Sequence, residues 1–377
     1  MKTRLGNYIQ EYSVRNKANE EIPVYSVTNT QGFCKDYFGK EVASKDKSTY
    51  KIVPKGYFAY NPSRINVGSV DWQRYEERVI VSPLYNVFSV SPELDNQYLY
   101  YYLKSDVTLH FIKAVATGSV RDNLKLSMLY EFQINLPTIE EQQEIANTLD
   151  KLQSIITHRR TQLEKLDELI KARFVEMFGT LENPTQKFNF STLKELCIKI
   201  TDGKHGGCTQ EVGTKRYFVG AREIYDDVVH YDTAPEINIA EFEKDYKRCN
   251  LEIGDFLIVN TGATIGKSAI ASDEKTTQTL LQKSVALLKV KKDLLNAVFL
   301  QWCYKVNDRM YKVDSASAQP NLLLSKINAT YIYVPPIELQ NQFADFVKQI
   351  DKSKVAVQKA LDEAQLLFDS LMQEYFG

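Results

Sequence analysis

The polar loop Thr201-Asp202-Gly203-Lys204-His205-Gly206 is the segment of the sequence that comes closest to a catalytic site. It groups a carboxylate, an ammonium and an imidazole, and such groups act as general acids and bases. No serine or cysteine nucleophile motif accompanies it, and no paired carboxylates elsewhere stand in a setting typical of acid–base catalysis. The sequence therefore predicts a turn or a binding loop here, and it argues against catalysis by this chain.

A glycine-rich segment, Gly262 to Ser268, resembles a phosphate-binding P-loop but departs from it in two ways. A P-loop has four residues between its glycines and opens a long helix. Here three residues separate Gly262 from Gly266, and small and β-forming residues follow. We therefore predict a tight turn between two strands, in which Lys267 and the turn amides are candidates for contact with a phosphate.

The segment Asn61-Pro62-Ser63-Arg64 is similar to the Asn-Pro-Pro-aromatic motif of amino-methyltransferases. The second proline and the stacking aromatic residue are missing, and no glycine-rich S-adenosylmethionine loop precedes the segment. Methyl transfer by this chain alone is therefore not predicted.

The five cysteines are scattered along the chain and are never spaced as C-x-x-C. They are predicted to be reduced thiols rather than a disulfide framework. His205 lies near Cys208 in the sequence, but a zinc site needs further ligands, so no metal site is predicted.

An internal repeat indicates the elements that must position these loops. The segment 136–146 recurs as 334–344, at an offset of 198 residues, and the match continues without a gap to Gly179 and Gly377. A repeat of this length indicates one structural unit used twice. We expect two similar heads and two similar helical segments, related by a pseudo-twofold axis.

Each copy of the repeat predicts a long helix. Pro137 and Pro335 mark the starts, since proline is tolerated in the first helical turn, and Gly179 and Gly377 suit the C-caps. Forty helical residues span about 60 Å, and an apolar stripe of that length needs a partner. We predict that the two helices form an antiparallel coiled coil with apolar seam positions at Leu149, Leu152, Ile156, Leu163, Leu166, Ile170, Met177, Val347, Ile350, Val357, Leu361, Ala364, Phe368, Leu371 and Tyr375.

Charged and aromatic residues add detail to the predicted helices. Arg159, Arg173 and Lys354 interrupt the apolar seam, and Arg159 and Lys354 are expected to mark the register of the two helices. The phenylalanines near the helix ends are interpreted as core residues rather than as a docking surface for a partner: Phe174, Phe178, Phe368 and Phe376.

The rest of the chain reads as short strands with helical pieces, so the predicted fold class is α+β with two similar mixed α/β domains. Strands are predicted at 50–53, 57–60, 255–259 and 281–290, and helices at 97–104 and 294–304. The predicted segments are a first head at 1–135, a helix with linker at 136–184, a second head at 185–333 and a C-terminal helix at 334–377.

Composition is that of an ordinary globular protein, with 44% hydrophobic residues among 377. No apolar run is long enough to span a bilayer and no signal core is present, which predicts a soluble, cytoplasmic protein without a membrane partner. The net charge is −1, but segments 139–179 and 337–377 together carry −5, which leaves +4 for the heads. Mildly basic heads rich in tyrosine are compatible with a polyanionic ligand.

Taken together, the motifs resemble the specificity subunits of type I restriction–modification enzymes. The resemblance rests on the Leu-Pro-x-Ile-Glu-x-Gln-x-x-Ile element at 136–145, its copy at 334–343 and the long helices after each. Further matches are the segments 202–205, 254–267 and 318–322 in the second head, and 57–64 and 81–85 in the first. The first head departs from the pattern, because it lacks the Asp-Gly-x-His loop and has Arg121-Asp122 before Asn123 in place of Gln-Pro.

This resemblance implies a non-catalytic subunit that directs a DNA adenine methyltransferase. Each head would be a target-recognition domain that reads one half of a bipartite, asymmetric double-stranded DNA site. The coiled coil would set the spacer and dock two methyltransferase (modification) subunits. No cofactor is expected on this chain, whereas S-adenosylmethionine, ATP and Mg²⁺ are expected on partner subunits. Whether two restriction/translocase subunits also join is left open.

Loop residues of both heads are predicted to contact DNA, because arginine and lysine bind phosphates while asparagine, glutamine and arginine read base edges. In the first head they are Tyr60, Asn61, Arg64, Trp72, Arg74 and Arg121. In the second head they are Lys204, His205, Arg222, Thr261, Lys267, Gln319 and Asn321.

Three other interpretations of the sequence remain open at this point. The heads would bind protein partners if the chain is a coiled-coil scaffold, and the helices would serve only homodimerisation if the repeat has no spacer role. A weaker option is a remote nuclease or methyltransferase that acts alone. Retention of DNA, and methyl transfer by the purified chain, distinguish these options from a specificity subunit.

Overall fold

The computed structural model describes residues 2–35, 46–116, 123–312 and 321–377. The chain divides into two compact units. Unit 1 comprises Met1–Arg160 and Gln358–Gly377, and unit 2 comprises Thr161–Val357. Each unit therefore combines one predicted head with part of both predicted long helices.

Unit 1 contains short strands, three short helices and the first part of a long helix. The elements are β1 (Lys2–Arg4), β2 (Ile9–Glu11), β3 (Ser26–Thr28), β4 (Gly32–Cys34), β5 (Lys51–Pro54), β6 (Phe58–Tyr60), β7 (Val70–Trp72), β8 (Arg78–Val81), β9 (Asn86–Val90), α1 (Asn96–Lys104), α2 (Asp106–Ala116), α3 (Leu126–Leu129), β10 (Gln133–Asn135) and α4 (Ile139–Phe178), which continues into unit 2. Its four-stranded sheet has the order β2-β9-β6-β7.

Unit 2 repeats this architecture with insertions. Its elements are β11 (Asn189–Thr192), α5 (Leu193–Leu196), β12 (Cys197–Asp202), β13 (Tyr217–Val219), β14 (Ile224–Tyr225), β15 (Val228–Val229), α6 (Ile239–Asp245), β16 (Phe256–Val259), β17 (Ser268–Ile270), β18 (Thr279–Leu281), β19 (Val285–Val290), α7 (Ala297–Val306), α8 (Leu324–Ala329), β20 (Tyr331–Val334) and α9 (Ile337–Phe376), which continues into unit 1. Its four-stranded sheet has the order β12-β19-β16-β17.

The two four-stranded sheets are equivalent in strand order and direction, and their two central strands pair in the same register, while β12 has a register shift between Cys197 and Lys199 that β2 lacks. All their strand pairs are antiparallel, with Phe58 opposite Phe88 in unit 1 and Phe256 opposite Leu288 in unit 2. The peripheral strands diverge, because β5 and β8 pair antiparallel whereas β13 and β18 pair parallel. The internal repeat predicted from the sequence is therefore confirmed, with a shared central sheet and different surroundings.

Both long helices begin and end close to the predicted positions. Before α4, the Thr138 backbone N–H donates to Glu141 Oε2 (2.9 Å) and the Glu141 N–H donates to Thr138 Oγ1 (3.3 Å). This reciprocal capping box satisfies two backbone donors at the helix start. At the other end Gly179 adopts a left-handed φ of 74° and its N–H donates to the Val175 carbonyl (2.8 Å). The sharp end of α4 at Phe178 follows from this glycine cap.

The helices pack antiparallel within each unit. In unit 2 the C-terminal end of α4 meets the N-terminal end of α9, where Phe174 and Phe178 lie 5.3 and 5.7 Å from the ring of Phe343. In unit 1 the N-terminal part of α4 and the C-terminal part of α9 share one hydrophobic cluster through Leu149 and Phe376. Every predicted seam position is buried or half-buried. The predicted antiparallel coiled coil is therefore confirmed.

The predicted roles of residues along the helices are mostly confirmed. Lys354 on α9 forms an ion pair with Asp167 on α4, as expected for a register marker, while the same role for Arg159 stays a prediction. Three of the phenylalanines near the helix ends, Phe174, Phe178 and Phe376, lie in the cores of the two units, and the half-buried Phe368 packs against the core of unit 1. Among the described residues, no helix is both long and apolar enough to cross a membrane.

A buried glutamine of the repeated motif fixes the start of α4. Gln142 has no exposed surface. Its Oε1 accepts from the Asp95 backbone N–H (2.8 Å), and its Nε2 donates to the carbonyls of Glu93 and Pro137 (3.0 Å each). One side chain thus ties the helix to the turn that precedes α1.

The second copy of the motif makes the same connection in unit 2. Gln340 is equally buried and accepts from the Asn296 backbone N–H (2.9 Å). Its Nε2 donates to the carbonyls of Leu294 (3.0 Å) and Pro335 (2.8 Å). The glutamine of the repeated sequence element therefore attaches each long helix to its own head.

Replacing Gln142 with alanine is expected to lower the free energy of unfolding by about 1–3 kcal/mol, because it leaves a buried N–H and two carbonyls without partners. Denaturant unfolding followed by circular dichroism measures this change. The matched control is Gln143→Ala, since Gln143 is the exposed neighbour on the same helix, and it should alter stability by less than about 0.5 kcal/mol. Equal effects of the two substitutions would contradict the attachment role.

Most predicted elements of the heads agree with the structure. The strands at 50–53, 57–60 and 255–259 correspond to β5, β6 and β16, and the helices at 97–104 and 294–304 correspond to α1 and α7. Gly262–Ser268 is the predicted turn between two strands, β16 and β17. The single strand predicted at 281–290 is wrong, because residues 282–284 form a turn between β18 and β19. We call this segment the 282–284 turn.

Candidate nucleic-acid interface

In unit 2 the loops after β12 and β16 and the 282–284 turn meet at one edge of the four-stranded sheet. They enclose a cleft of about 360 Å³ lined by Lys204, Gly206, Thr261, Gln282, Lys283, Ser284 and Asn321. A second cleft of about 750 Å³ shares Gly206, Gln282 and Ser284 with the first and includes Arg222 in its lining. Several predicted site residues are therefore brought together around the 282–284 turn.

Backbone hydrogen bonds hold the 282–284 turn in place. The Gln282 N–H donates to the Val219 carbonyl (2.8 Å), and the Lys283 N–H donates to the Lys204 carbonyl (3.0 Å). Ser284 Oγ accepts from the Ala221 N–H (3.2 Å). The Lys283 side chain is exposed. A fixed turn with an exposed cation at the mouth of a cleft is suited to contact with phosphate.

Thr261 and Asn321 lie side by side on the same edge. Thr261 Oγ1 donates to Asn321 Oδ1 (3.3 Å), and the Leu322 N–H donates to the Asn260 carbonyl (2.7 Å). Because the Asn321 oxygen faces the hydroxyl, its amide NH₂ group is directed away from Thr261 and can donate to an external acceptor. Asn321 is exposed, as a contact residue must be.

Ion pairs and hydrogen bonds to Asp202 stabilise the Asp202–Gly206 loop. His205 Nε2 lies 3.1 Å from Asp202 Oδ2, and Arg248 forms an ion pair with the same carboxylate. Burial alone would raise the pKa of Asp202, but the hydrogen bonds from Arg248 and His205 outweigh it, so the pKa lies below its usual value. About half of the His205 side chain is exposed at this loop.

The charge of Lys204 is paired with carboxylates of unit 2. Its ammonium forms an ion pair with Asp245 and lies 3.7 Å from Glu241, and only 19% of its side chain is exposed. The hydrogen bond to Asp245 raises the pKa of Lys204. This ion pair ties the loop after β12 to α6, and the predicted contact of Lys204 with DNA stays a prediction.

Two other predicted cations of unit 2 are exposed. Arg222 lies in the 3₁₀ turn Ala221–Glu223 beside the larger cleft. Lys267 lies at the end of the turn between β16 and β17, where its backbone N–H donates to the Thr264 carbonyl (3.2 Å). Both side chains are accessible to a ligand, and their predicted contacts with DNA stay predictions.

Unit 1 has an equivalent edge, formed by the loop after β6. Ser63 Oγ donates to Asn123 Oδ1 (2.6 Å), and the Leu124 N–H donates to the Pro62 carbonyl (3.1 Å). Ser63 and Asn123 correspond to Thr261 and Asn321 at the offset of 198 residues. The same hydroxyl–carboxamide pair therefore occurs at the same edge of both sheets. The Ser63–Asn123 pair was not predicted from the sequence, although subtracting the repeat offset of 198 from residue 261 leads to Ser63.

The predicted contact residues in and before this loop differ in how far they are exposed to solvent. Asn61 is half-buried, and its Oδ1 accepts from the Ser63 N–H (3.0 Å), while Arg64 is exposed. Tyr60 has no exposed surface, and its hydroxyl donates to the Leu124 carbonyl (3.1 Å). Burial raises the pKa of Tyr60. The ring and hydroxyl of Tyr60 support the loop from below, and its predicted contact with DNA stays a prediction.

Trp72 and Arg74 belong to a partly buried cluster rather than to an open surface. The Arg74 guanidinium stacks on the Trp72 ring (4.4 Å) and pairs with Asp71 (2.7 Å). Burial raises the pKa of Asp71, and the charge of Arg74 opposes that shift. Trp72 Nε1 donates to Gln97 Oε1 (3.0 Å). Arg74 therefore stabilises a buried carboxylate, and the predicted contacts of Trp72 and Arg74 with DNA stay predictions.

Two predicted residues, Arg121 and Gln319, lie outside the described residues. Among the described part of the chain, no group of three or more His, Cys, Asp or Glu side chains is placed to hold a metal ion. All five cysteines are free thiols. Sequence reasoning missed Gln282, Lys283 and Ser284, because the apolar residues on both sides gave the appearance of one continuous strand.

Each unit combines a four-stranded antiparallel sheet that has one polar edge with a share of two antiparallel helices, which is the architecture of a duplicated protein. A family model for the type I restriction modification DNA specificity domain matches residues 5–167 and 185–364. The chain therefore belongs to the type I restriction-modification DNA specificity domain family. The alternative prediction of a protein-binding scaffold is not favoured.

The names of two relatives agree with this assignment, and two solved structures share the fold. Two specificity subunits from Methanocaldococcus jannaschii, of the type I restriction enzymes MjaIX and MjaVIII, are 23% and 24% identical over 74% and 71% of this chain and 67% and 68% of their own. The type I specificity subunit from M. genitalium superposes with a TM-score of 0.59 at 18% identity, covering 100% of this chain and 96% of that one. A chain from work on complex assembly and conformational transition of the type I R-M system gives 0.58 at 17% identity, covering 100% and 97%.

Proposed function

We propose that unit 1 and unit 2 each read one half of a bipartite, asymmetric double-stranded DNA site. The observation that carries this proposal is the hydroxyl–carboxamide pair, Ser63–Asn123 and Thr261–Asn321, at the equivalent edge of both sheets. An equivalent pair on two otherwise divergent surfaces suits a ligand with a repeating element, such as a sugar–phosphate backbone. The divergent residues around each pair would then read different bases, which makes the two halves of the site unlike.

The chain is proposed to act as the non-catalytic member of a methyltransferase complex. Two modification subunits would bind S-adenosylmethionine and methylate adenine, and restriction/translocase subunits, where they join, would use ATP and Mg²⁺. The target adenine must leave the base stack to reach a catalytic pocket. This chain would hold the duplex in register on both half-sites while the partner carries out that chemistry.

The two long helices are proposed to serve both assembly and spacing. Each is 40 residues long, and each is attached to its own head through a buried glutamine, Gln142 or Gln340. Such an attachment restrains movement between each head and its helix. The helix pair would therefore fix the unread spacer between the two half-sites and provide the surface for modification subunits.

Lys283→Ala in the complex with its methyltransferase partner is expected to weaken DNA binding and to reduce the slope of log K against log salt by about one, because one phosphate contact is lost. Binding to target duplex by fluorescence anisotropy across a salt series measures both quantities. The matched control is Lys292→Ala, since Lys292 is an exposed lysine just beyond the opposite end of β19. The same affinity and slope for both variants would contradict the assignment of this edge as the interface.

A further inference from the structure

The 282–284 turn has an equivalent in unit 1. Strand register places Phe88 opposite Phe58 and Leu288 opposite Phe256, so residues four positions earlier, Leu84 and Ser284, are equivalent. Residues 82–84 therefore occupy in unit 1 the place of the 282–284 turn in unit 2. We call them the 82–84 turn. Because β9 begins opposite Tyr60, this turn and the loop after β6 lie at the same edge of the sheet.

The two turns differ in chemistry. The 282–284 turn reads Gln-Lys-Ser, whereas the 82–84 turn reads Ser-Pro-Leu. Leu84 is 77% exposed, the highest value among the large apolar side chains of unit 1 in the described part of the chain. An isolated exposed leucine is ordinary on a protein surface, but this one stands on the edge that carries Ser63 and Asn123.

The 82–84 turn holds Leu84 firmly in its exposed position. Pro83 restricts the backbone, and the Tyr85 N–H donates to the Ser82 carbonyl (3.1 Å). Lys51, itself buried, donates from Nζ to the Tyr85 carbonyl (2.7 Å). A fixed turn places the Leu84 side chain with little loss of conformational freedom on binding, which favours recognition.

Resting on the proposed function, we propose that Leu84 is a specificity-determining residue of unit 1 that packs against the 5-methyl group of one thymine in the major groove. The major-groove edge of a T·A pair is distinguished by this methyl group, which apolar side chains contact. Unit 2 has Ser284 at the same place and would require no methyl group there. One position of the fold would thus give the two half-sites different preferences.

Insertion of Leu84 as a wedge between base pairs is a different use of an exposed leucine. The equivalence with unit 2 argues against it, because the residues at the same place there are Lys283 and Ser284. A polar side chain can replace an apolar one at a base edge, where each base offers a different group. It cannot replace an apolar wedge that must unstack two bases.

The test is a uracil scan of the target site by the complete complex of this chain with its methyltransferase partner. Each thymine of the duplex is replaced in turn by deoxyuridine, which removes only the methyl group, and dissociation constants are measured for wild type, Leu84→Ser and Leu84→Met. For wild type, one thymine in one half-site is expected to show a loss of about fourfold, the value of one buried methyl group. Leu84→Ser should lose that sensitivity, whereas Leu84→Met should retain it.

The outcomes separate this inference from the proposed function. If wild type binds its target but no thymine shows sensitivity, or the sensitivity persists in Leu84→Ser, the methyl contact is overturned while DNA reading by both units stands. A uniform loss of affinity in Leu84→Ser, without any effect of uracil, indicates a wedge and also overturns it. If the wild-type complex binds no DNA sequence specifically, the proposed function itself fails. Unchanged thermal unfolding of Leu84→Ser confirms that folding is not the cause.

Discussion

Phe178→Ala is expected to lower the free energy of unfolding of unit 2 by about 3–5 kcal/mol, the usual cost of truncating a buried aromatic residue. The ring is fully buried at the C-terminal end of α4. It lies 4.9 Å from the ring of Phe299, 5.1 Å from that of Phe174 and 5.7 Å from that of Phe343. These contacts join both long helices to α7, so a cavity here weakens all three elements at once. Denaturant unfolding followed by circular dichroism measures the loss.

A partly exposed phenylalanine of the same unit provides the control. Phe190 on β11 is 38% exposed and stacks on Tyr331 (5.7 Å). Phe190→Ala should cost clearly less than Phe178→Ala, because less apolar surface returns to water and no closed cavity forms. A loss at Phe178 no larger than that at Phe190 would contradict the role assigned to this end of α4.

Gly203→Ala is expected to destabilise unit 2 by about 1–3 kcal/mol, the usual cost of inserting atoms into a packed site. A Cβ at this position would lie 2.1 Å from the Leu281 carbonyl oxygen and 2.4 Å from that of Gln282. The backbone cannot retreat without weakening the bond from the Lys204 N–H to Leu281 (2.7 Å). Displacing the 282–284 turn should also lower DNA affinity about tenfold, since a single base contact contributes about 1–3 kcal/mol.

Gly207→Ala is the matched control for this close approach. Gly207 belongs to the same loop, but a Cβ there would meet no atom within 4 Å, and its φ is not left-handed. The substitution should change neither stability nor DNA affinity appreciably. Thermal unfolding and anisotropy titrations of both variants test the prediction. Unchanged DNA binding by Gly203→Ala would show that the 282–284 turn does not form the interface.

The parts of the fold that the sequence predicts are those marked by hydrophobic periodicity or by the internal repeat. The seam positions of both long helices and the glycine cap of α4 follow from spacing, and the interpretation of Phe178 and Phe376 as core residues is confirmed by their burial. The repeat also predicted that the two heads share a fold. It could not reveal the different pairing of the peripheral strands, because the sequences of the two heads diverge between their matching ends.

The candidate site was predictable only in part, because residue type does not determine exposure. Tyr60 and Lys204 have the chemistry of DNA contacts, but one is buried under its loop and the other is paired with Asp245. Both facts depend on segments distant in sequence. Lys283 was missed because a turn of three residues between two apolar strands leaves little signal. The hydrogen bonds of this turn to Val219 and Lys204, which are distant in sequence, place Lys283 at the cleft.

Sequencing the adenine methylome of a host with and without this gene tests the central claim most directly. Two unlike DNA-reading units in one chain predict a single methylated motif with two different specified halves and an unread spacer. This motif should disappear when the gene is deleted and return when the gene is restored. A methylome that is identical with and without the gene, or a lost motif that is palindromic and continuous, would contradict the account.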